Sequence, residues 1–348
     1  VVGGPALTIL PAAIAEYLQV DHAIVGEGEL SLPQLVDDLA AGKPVPQIIE
    51  RNELLAGDQF GAPLFDSRLL EYYLQQSGMA NLQTKRGCPY RCSYCSYPHL
   101  EGTRFRYRNA QLVVDELEQM KKVHGVKRVF FTDSIFNDPK GVYLQLVEEM
   151  LRRKLDIQFA AFFRPQGLGR LELALMKRAG LYALELGTDA ASDQTLAGLG
   201  KQFKFAEVLQ VNQACLEERL PAAHFVIFGG PDEDETSLAD GLKNMELLGK
   251  SVVFAFSGIR IHPDAPLYQR AISDGQITAE TSLLKPIYYF SPNIDRPLME
   301  KEIEASFFGR RNRIFPPSAG LERMAVMRGF GYKGLTWDRL VRFPEKTA

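Results

Sequence analysis

Residues 126–163, VKRVFFTDSIFNDPKGVYLQLVEEMLRRKLDIQFAAFF, decide the fold. VKRVFFTD is an apolar run of strand length, KGVYLQLVEEMLRRK repeats its apolar residues at helical spacing, and IQFAAFF is a second apolar run. Neither run alternates with polar residues. Continuous apolar runs mark parallel strands covered on both faces, and the helix between them is the crossover that parallel pairing requires.

The same rhythm extends in both directions. LQTKR (82–86) comes first, then a helix over AQLVVDELEQMKKVHG, with Asn109 placed to cap it and Gly125 to end it. After Phe163 follow LELALMKRAG, the strand LYALELG, the helix FAEVLQVNQACLEER, the strand AAHFVIFGG, the helix ETSLADGLKNMELLG and the strand SVVFAFSGIRI. Six strands alternating with five helices imply right-handed βαβ units. Six units are too few for a closed eight-stranded barrel and suit an open, partial one. The expected division is an α/β fragment at 1–60, a linker at 61–80, the βα series at 81–285 and a C-terminal cap at 286–348. The linker belongs to a longer stretch without periodicity, punctuated by Pro44, Pro46, Gly57, Gly61 and Pro63. The opening VVGGP reads like a strand end running into a turn, so upstream residues are expected.

The chain has 348 residues, 46% hydrophobic and 24% charged, with a net charge of −3. That balance is ordinary for a globular protein and gives no overall basic field for nucleic acid. No apolar run is long enough for a transmembrane helix, and a cytosolic location is expected. Four cysteines do not make a disulfide scaffold, yet three of them fall within GCPYRCSYCSYP (87–98). Cys88, Cys92 and Cys95, spaced C-x3-C-x2-C, sit just after the first strand, at the mouth where parallel α/β folds bind ligands. Three thiolates hold three irons of a 4Fe–4S cluster and leave the fourth iron open for a non-protein ligand. A Cys3His zinc knuckle using His99, and a non-catalytic iron–sulfur or zinc module, are the competing readings. Cys215 lies mid-helix and reads as a core thiol.

Cys88, Cys92 and Cys95, with Tyr94 in the aromatic place, resemble the radical S-adenosylmethionine (SAM) superfamily, whose signature is C-x3-C-x-aromatic-C. The resemblance covers roughly residues 80–285. It implies a partial βα barrel, a 4Fe–4S cluster and SAM bound at the open iron, with reductive cleavage to a 5′-deoxyadenosyl radical. It also implies a reductase, flavodoxin or ferredoxin as electron donor.

By position, Thr132, Asp133 and Ser134 fall where that family contacts the SAM amino group, although its Gly-Gly-Glu is absent. Arg164 is placed for the SAM carboxylate. Glu185 and Asp189 lie in a stretch similar to GxES, where an acid bonds a ribose hydroxyl. Gly229, followed by Gly230, resembles the adenine-binding strand end. RIHPDAPL resembles R-x-x-P-x-T-P-L, with Asp264 and Ala265 replacing Gly-Thr. His224 reads as a packed core histidine, and His262 as a candidate substrate neighbour. Lys85, Arg86, Arg91, Arg104, Arg106 and Arg108, with Glu101 the single acid among them, would offset the negative charge of a cluster and of SAM.

VVGGPA followed by DHAIVGEGELSLPQLVDDL resembles the C-terminal half of the cobalamin-binding domain that precedes many radical SAM proteins. Gly3 and Gly4 would lie near the cobalamin edge. The implied function is cobalamin-dependent methylation of an unactivated carbon in a small-molecule or lipid-like substrate. A cobalamin-free cyclisation or rearrangement is the alternative. Tyr288, Tyr289, Phe290 and Trp337 read as a packed hydrophobic cap over the barrel mouth.

Overall fold

The six apolar runs form strands because most of their side chains find cover. In the computed structural model, which describes residues 1–50, 53–341 and 343, they are β1 (Ala80–Leu82), β2 (Arg128–Phe131), β3 (Gln158–Phe163), β4 (Leu181–Asp189), β5 (Ala222–Phe228) and β6 (Val252–Ser257). A seventh strand, β7 (Arg313–Ile314), joins them in the order β7-β6-β5-β4-β3-β2-β1, all pairs parallel. The fold is an α/β fold on an open parallel sheet, with β1 and β7 at the two ends of the strand order. The expected cap therefore contributes a strand. Its last residues, 342 and 344–348, lie outside the described residues, as do 51 and 52 near the start.

Four helices between Ala110 and Glu218 pack on one face of this sheet, and helix Pro317–Gly329 packs on the other at Phe254 and Ile314. The Asn109 side chain accepts hydrogen bonds from the amides of Gln111 (2.8 Å) and Leu112 (3.3 Å), starting helix Ala110–His124. Gly125 ends it at φ 66°, a left-handed conformation that glycine adopts without strain. Val113, Val114, Leu117 and Met120 on this helix meet Val129, Phe131, Phe159, Ala161 and Phe163 in one core.

Three details depart from the sequence reading. LQTKR is not one strand: β1 stops at Leu82, and Lys85–Arg86 instead pairs antiparallel with Arg106–Tyr107. In the segment read as a linker, Ser67–Gln76 is a helix, capped by the Asp66 carboxylate on the amides of Arg68 and Leu69. Near the start, Val2 makes only an isolated bridge to Ala23, and helix Pro5–Ile9 follows at once.

The chain forms two compact units. One comprises Ala62–Thr84, Asn109–Gly258 and Phe290–Ala348, and holds the seven-stranded sheet. The other comprises Val1–Gly61, Lys85–Arg108 and Ile259–Tyr289. In this smaller unit Ala23–Val25 pairs parallel with Ile48–Glu50, and Leu7, Ala15 and Ala23 form a small core. No helix among the described residues is long and apolar enough to cross a membrane.

Candidate functional site

In the smaller unit the hairpin Lys85–Arg86 and Arg106–Tyr107 carries the cysteine loop between its arms. Gly87 opens that loop at φ 88°, and a Cβ there would lie 2.0 Å from the Arg104 carbonyl oxygen. Only glycine fits both the conformation and the space. The Cys88 amide donates to the Gly102 carbonyl (3.0 Å), and the Cys95 amide to the Cys92 carbonyl (3.2 Å). Cys88 is buried, Cys92 and Cys95 are half-buried, and all are thiols. Tyr94, between them, is half-buried. The Leu267 amide donates to the Ser93 carbonyl at 2.8 Å, so the turn 262–267 is tied to the cysteine loop.

The basic residues of the hairpin have protein partners. Arg86 donates to Glu27 (3.0 Å) and Glu29 (2.5 Å), and Arg106 donates to both oxygens of Glu27 (2.6 and 3.0 Å). Both guanidinium groups also lie over the Phe60 ring, at 4.3 and 5.1 Å. Burial pushes the Glu27 carboxyl up, but hydrogen bonds from Arg106, the Leu55 amide and Arg86 outweigh it and leave it below its ordinary value. The acids of GEGE thus clamp the cysteine hairpin, and two of the arginines expected to offset cofactor charge are spent on them.

Three thiols on one loop, part buried and part open, are a donor set for three irons of a 4Fe–4S cluster. Among the described residues no three His, Cys, Asp or Glu side chains converge as a single metal ion requires. A four-iron cluster asks for a wider spacing, one thiolate per iron. His99 has its Nε2 3.3 Å from the Thr8 carbonyl oxygen, which leaves only its Nδ1 for a metal. A second observation also fits a bound cofactor. Asp264, on the turn tied to the cysteine loop, has both carboxylate oxygens buried without a hydrogen-bond partner. A buried carboxylate so placed lacks the cation or donor that would offset its desolvation. The amino group of SAM is such a donor.

In the larger unit the other candidates lie along the strands and at their C-terminal ends. Asp133 is fully buried and accepts from the Thr84 amide (2.6 Å) and hydroxyl (2.5 Å), which pins the chain leaving β1. The Thr132 amide bonds the Leu82 carbonyl (2.9 Å), and Ser134 is half-buried. Arg164 is buried; its Nε donates to Gln166 (2.8 Å), its guanidinium lies 5.0 Å over the Phe203 ring, and Asn137 accepts from its amide (2.9 Å). Asp189, at φ 60°, forms a buried ion pair with Lys201, and it is Ser192 that caps the next helix. Gly229, at φ 82°, packs against Phe290, where a Cβ would come within 2.8 Å of the ring.

Sequence reasoning missed Glu233. Its carboxylate accepts from the amides of Gly229 (2.5 Å) and Gly230 (3.0 Å), so it shapes the turn after β5. Burial pushes it up to about 7, held back by those hydrogen bonds and one from Thr195. The available signal was an acid three residues after a Gly-Gly pair.

Glu185 does not lie at a strand end. It is buried mid-strand and accepts from the indole Nε1 of Trp337 at 2.9 Å. Burial pushes its carboxyl up to about 7, and the indole hydrogen bond lowers it only in part. His224 is sealed between Thr188 (2.8 Å) and Asn212 (3.1 Å), and burial with the Arg313 charge pushes it down to about 3, so it is a core histidine. His262 is half-buried and pushed down by burial and by Arg260. Burial pushes the Cys215 thiol up to about 12, leaving it inert. Of the cap aromatics, Tyr289 and Trp337 are buried and Tyr288 is exposed. In the smaller unit, Gly3 lies against the Ile24 carbonyl, and Gly4, at φ 100°, faces open space.

A parallel α/β sheet together with a loop of three thiols defines the class: a cluster-bearing α/β enzyme. Residues 82–243 match the model of the Radical SAM superfamily, and over those residues the chain carries a radical SAM domain. Such a domain implies a 4Fe–4S cluster and SAM as cofactors. The chain is 26% identical over 291 residues to an uncharacterized methyltransferase of Pyrococcus horikoshii, covering 79% of this chain and 63% of that one. It is 27% identical over 208 residues to the tryptophan 2-C-methyltransferase of Streptomyces laurentii, covering 56% and 34%. The chain thus spans between a third and two thirds of the length of these curated relatives. Among solved structures it superposes on the radical SAM methyltransferase TsrM from Kitasatospora setae, which holds cobalamin and a [4Fe–4S] cluster. That match has a TM-score of 0.81 and 22% identity over 97% of this chain and 78% of the other, which shows a shared fold.

Proposed function

We propose that this protein is a radical SAM enzyme that methylates an unactivated carbon with the help of cobalamin, and that Cys88, Cys92 and Cys95 hold its cluster. The observation that carries the reading is the thiol loop itself, held open by Gly87 and clamped through Glu27 inside a matched radical SAM domain. When bound, the cluster supplies the single electron that splits SAM into methionine and a 5′-deoxyadenosyl radical.

The chain's own residues do the rest. Asp264 accepts a hydrogen bond from the SAM amino group and so loses its orphaned state. Arg164, braced by Gln166 and Asn137, offers its charge to a carboxylate. Glu233 fixes the Gly229–Gly230 backbone so that a flat base can approach it closely. Thr132, Ser134, Asp189 and Tyr94 complete the proposed SAM surroundings, while Asp133 acts through Thr84 as a positioning residue. Gly3 and Gly4 are the proposed cobalamin neighbours, supported by the parallel α/β fragment they open. The electron donor is a flavodoxin, ferredoxin or dedicated reductase, and the reducing cytoplasm suits the four thiols.

The test is anaerobic. The protein is reconstituted with iron and sulfide, given dithionite and SAM, and 5′-deoxyadenosine is quantified beside Cys92→Ala. Product that requires Cys92 supports the reading. A preparation that binds zinc and assembles no cluster overturns it. Methyl transfer is tested separately, by adding methylcobalamin and following loss of the cobalt-bound methyl group.

A further inference from the structure

The larger unit has a second concave surface, a cavity of about 620 Å³ lined from helix Arg296–Phe307, β7 and helix Pro317–Gly329. Parallel strands all start on one side of a sheet, and Arg313 is the first residue of β7. The cavity therefore lies at the other end of the sheet from Asp189, which ends β4, and Gly229, which follows β5.

Its charge is lopsided. Arg310, Arg311, Arg313 and Arg323 line it, with Glu304 the one acid among the described residues that do so. Arg310 pairs with Glu246. Arg313 is buried, and its Nη atoms donate to the carbonyls of Met245 (3.0 Å), Leu248 (2.9 Å) and Ser251 (3.0 Å). Its Nε is buried without a partner, and burial together with the Arg310 charge pushes its pKa down to about 10. A nearby anion relieves both effects.

Arg311 and Arg323 are exposed and pair with no acid among the described residues. Arg323 Nη1 donates to the Arg311 carbonyl at 3.1 Å, which holds the helix arginine beside the loop arginine. Two guanidinium forks at one cavity match the oxygens of a phosphate. A carboxylate brings a single charge, whereas a phosphate monoester brings about two. The other walls include Phe315, half-buried, and Phe308, whose side chain is left 89% exposed. A ring so exposed gains by covering apolar surface. The volume exceeds what a bare phosphate fills and falls in the range of small-molecule sites.

We propose that this cavity binds a phosphate monoester carrying an apolar group, with the phosphate on Arg311 and Arg323 and the apolar group on Phe308. The site is independent of the function proposed above. A soluble metabolite and a lipid head group share this chemistry, and the experiment separates them.

The test uses the full chain. In the first arm, calorimetry at low salt compares phenyl phosphate, inorganic phosphate and benzoate. Phenyl phosphate should bind tightest, with inorganic phosphate about tenfold weaker for want of the ring and benzoate about tenfold weaker for want of the second charge. Arg311→Gln and Arg323→Gln should each weaken phenyl phosphate about tenfold. Phe308→Ser should bring phenyl phosphate down to the level of inorganic phosphate and leave the latter unchanged. In the second arm, the protein is sedimented with phosphatidylcholine vesicles, with and without phosphatidic acid. Sedimentation that needs phosphatidic acid and both arginines, without binding of phenyl phosphate, assigns the site to a lipid head group. Phenyl phosphate binding without sedimentation assigns it to a soluble ligand. No binding in either arm, benzoate equal to phenyl phosphate, or binding that survives the Arg311→Gln, Arg323→Gln double variant overturns the proposal. So does phenyl phosphate binding that disappears in Cys92→Ala, which places the phosphate at the cysteine loop. If the double variant fails to fold, the Phe308→Ser comparison decides.

Discussion

Replacing Glu27 with glutamine should loosen the cysteine hairpin and leave the seven-stranded sheet untouched. The carboxylate accepts from Arg86 Nη1, from Arg106 Nη1 and Nη2, and from the Leu55 amide, at 2.6–3.0 Å. Its side chain is 9% exposed, and those of Arg106 and Arg86 are 13% and 20%. Breaking a fully buried pair costs about 3–5 kcal/mol, because the surviving charge stays desolvated. Arg86 keeps Glu29 as a partner and a glutamine oxygen still accepts one bond, so the loss here is about 2 kcal/mol. That corresponds to about thirtyfold faster amide exchange across residues 85–108 and at Leu55, if opening is local. Hydrogen exchange read by mass spectrometry checks this, with peptides from 110–257 as the internal control. Exchange in 85–108 that matches wild type within about twofold would refute the clamp. The pH dependence has a definite sign. Because the folded-state pKa is lowered, the stabilisation is present above the ordinary carboxylate range and is lost as pH falls through it. Wild-type protection of the hairpin therefore collapses in acid, while the glutamine variant is already low and changes little.

Three further outcomes follow from the site. Trp337 is the single tryptophan of the chain, so its emission should titrate with an apparent pKa of about 7 as Glu185 ionises, and Glu185→Gln should flatten the curve. Because that pKa is raised, wild-type stability falls as pH climbs from the ordinary carboxylate range to about 7, and chemical denaturation of the glutamine variant should show a shallower slope, the remainder coming from Glu233. Gly87→Ala forces a side chain into a φ of 88° and onto the Arg104 carbonyl, at a cost above about 1 kcal/mol, so reconstituted iron should fall toward the level of Cys92→Ala. Asp264→Asn removes a buried carboxylate that has no partner, so the SAM-free protein should melt no lower than wild type, while SAM affinity measured by calorimetry should drop about tenfold.

The strands of the sheet were legible because each is an apolar run bounded by glycine or a polar turn, and the helices because Asn109, Gly125 and Gly180 punctuate them. Helix Ser67–Gln76 hid because it buries one residue, Leu70, and a single buried position makes no periodic pattern. β7 hid because two residues, Arg313 and Ile314, pair only where a neighbouring strand is already present. The cysteines announced themselves by spacing. The roles of Glu27 and Glu185 did not, since their partners lie 59, 79 and 152 residues away in sequence. Asp133 and Asp189 were legible as acids after strands, but not as acids already engaged by Thr84 and Lys201.

The brevity of β1 and β7 bears on the protein's behaviour in a crowded solution. An exposed edge strand is a template on which another chain can add by backbone pairing, and the risk grows with its length. The five strands between the ends of this sheet run four to nine residues, but the two at its ends run three and two. β6, a six-residue apolar strand, pairs along its outer side with Val253 opposite Arg313 and Phe254 opposite Ile314. The C-terminal region therefore occupies part of the outer side of β6 that another chain could otherwise pair with. Deleting it should yield a protein that still binds iron but self-associates through the newly bared side of β6.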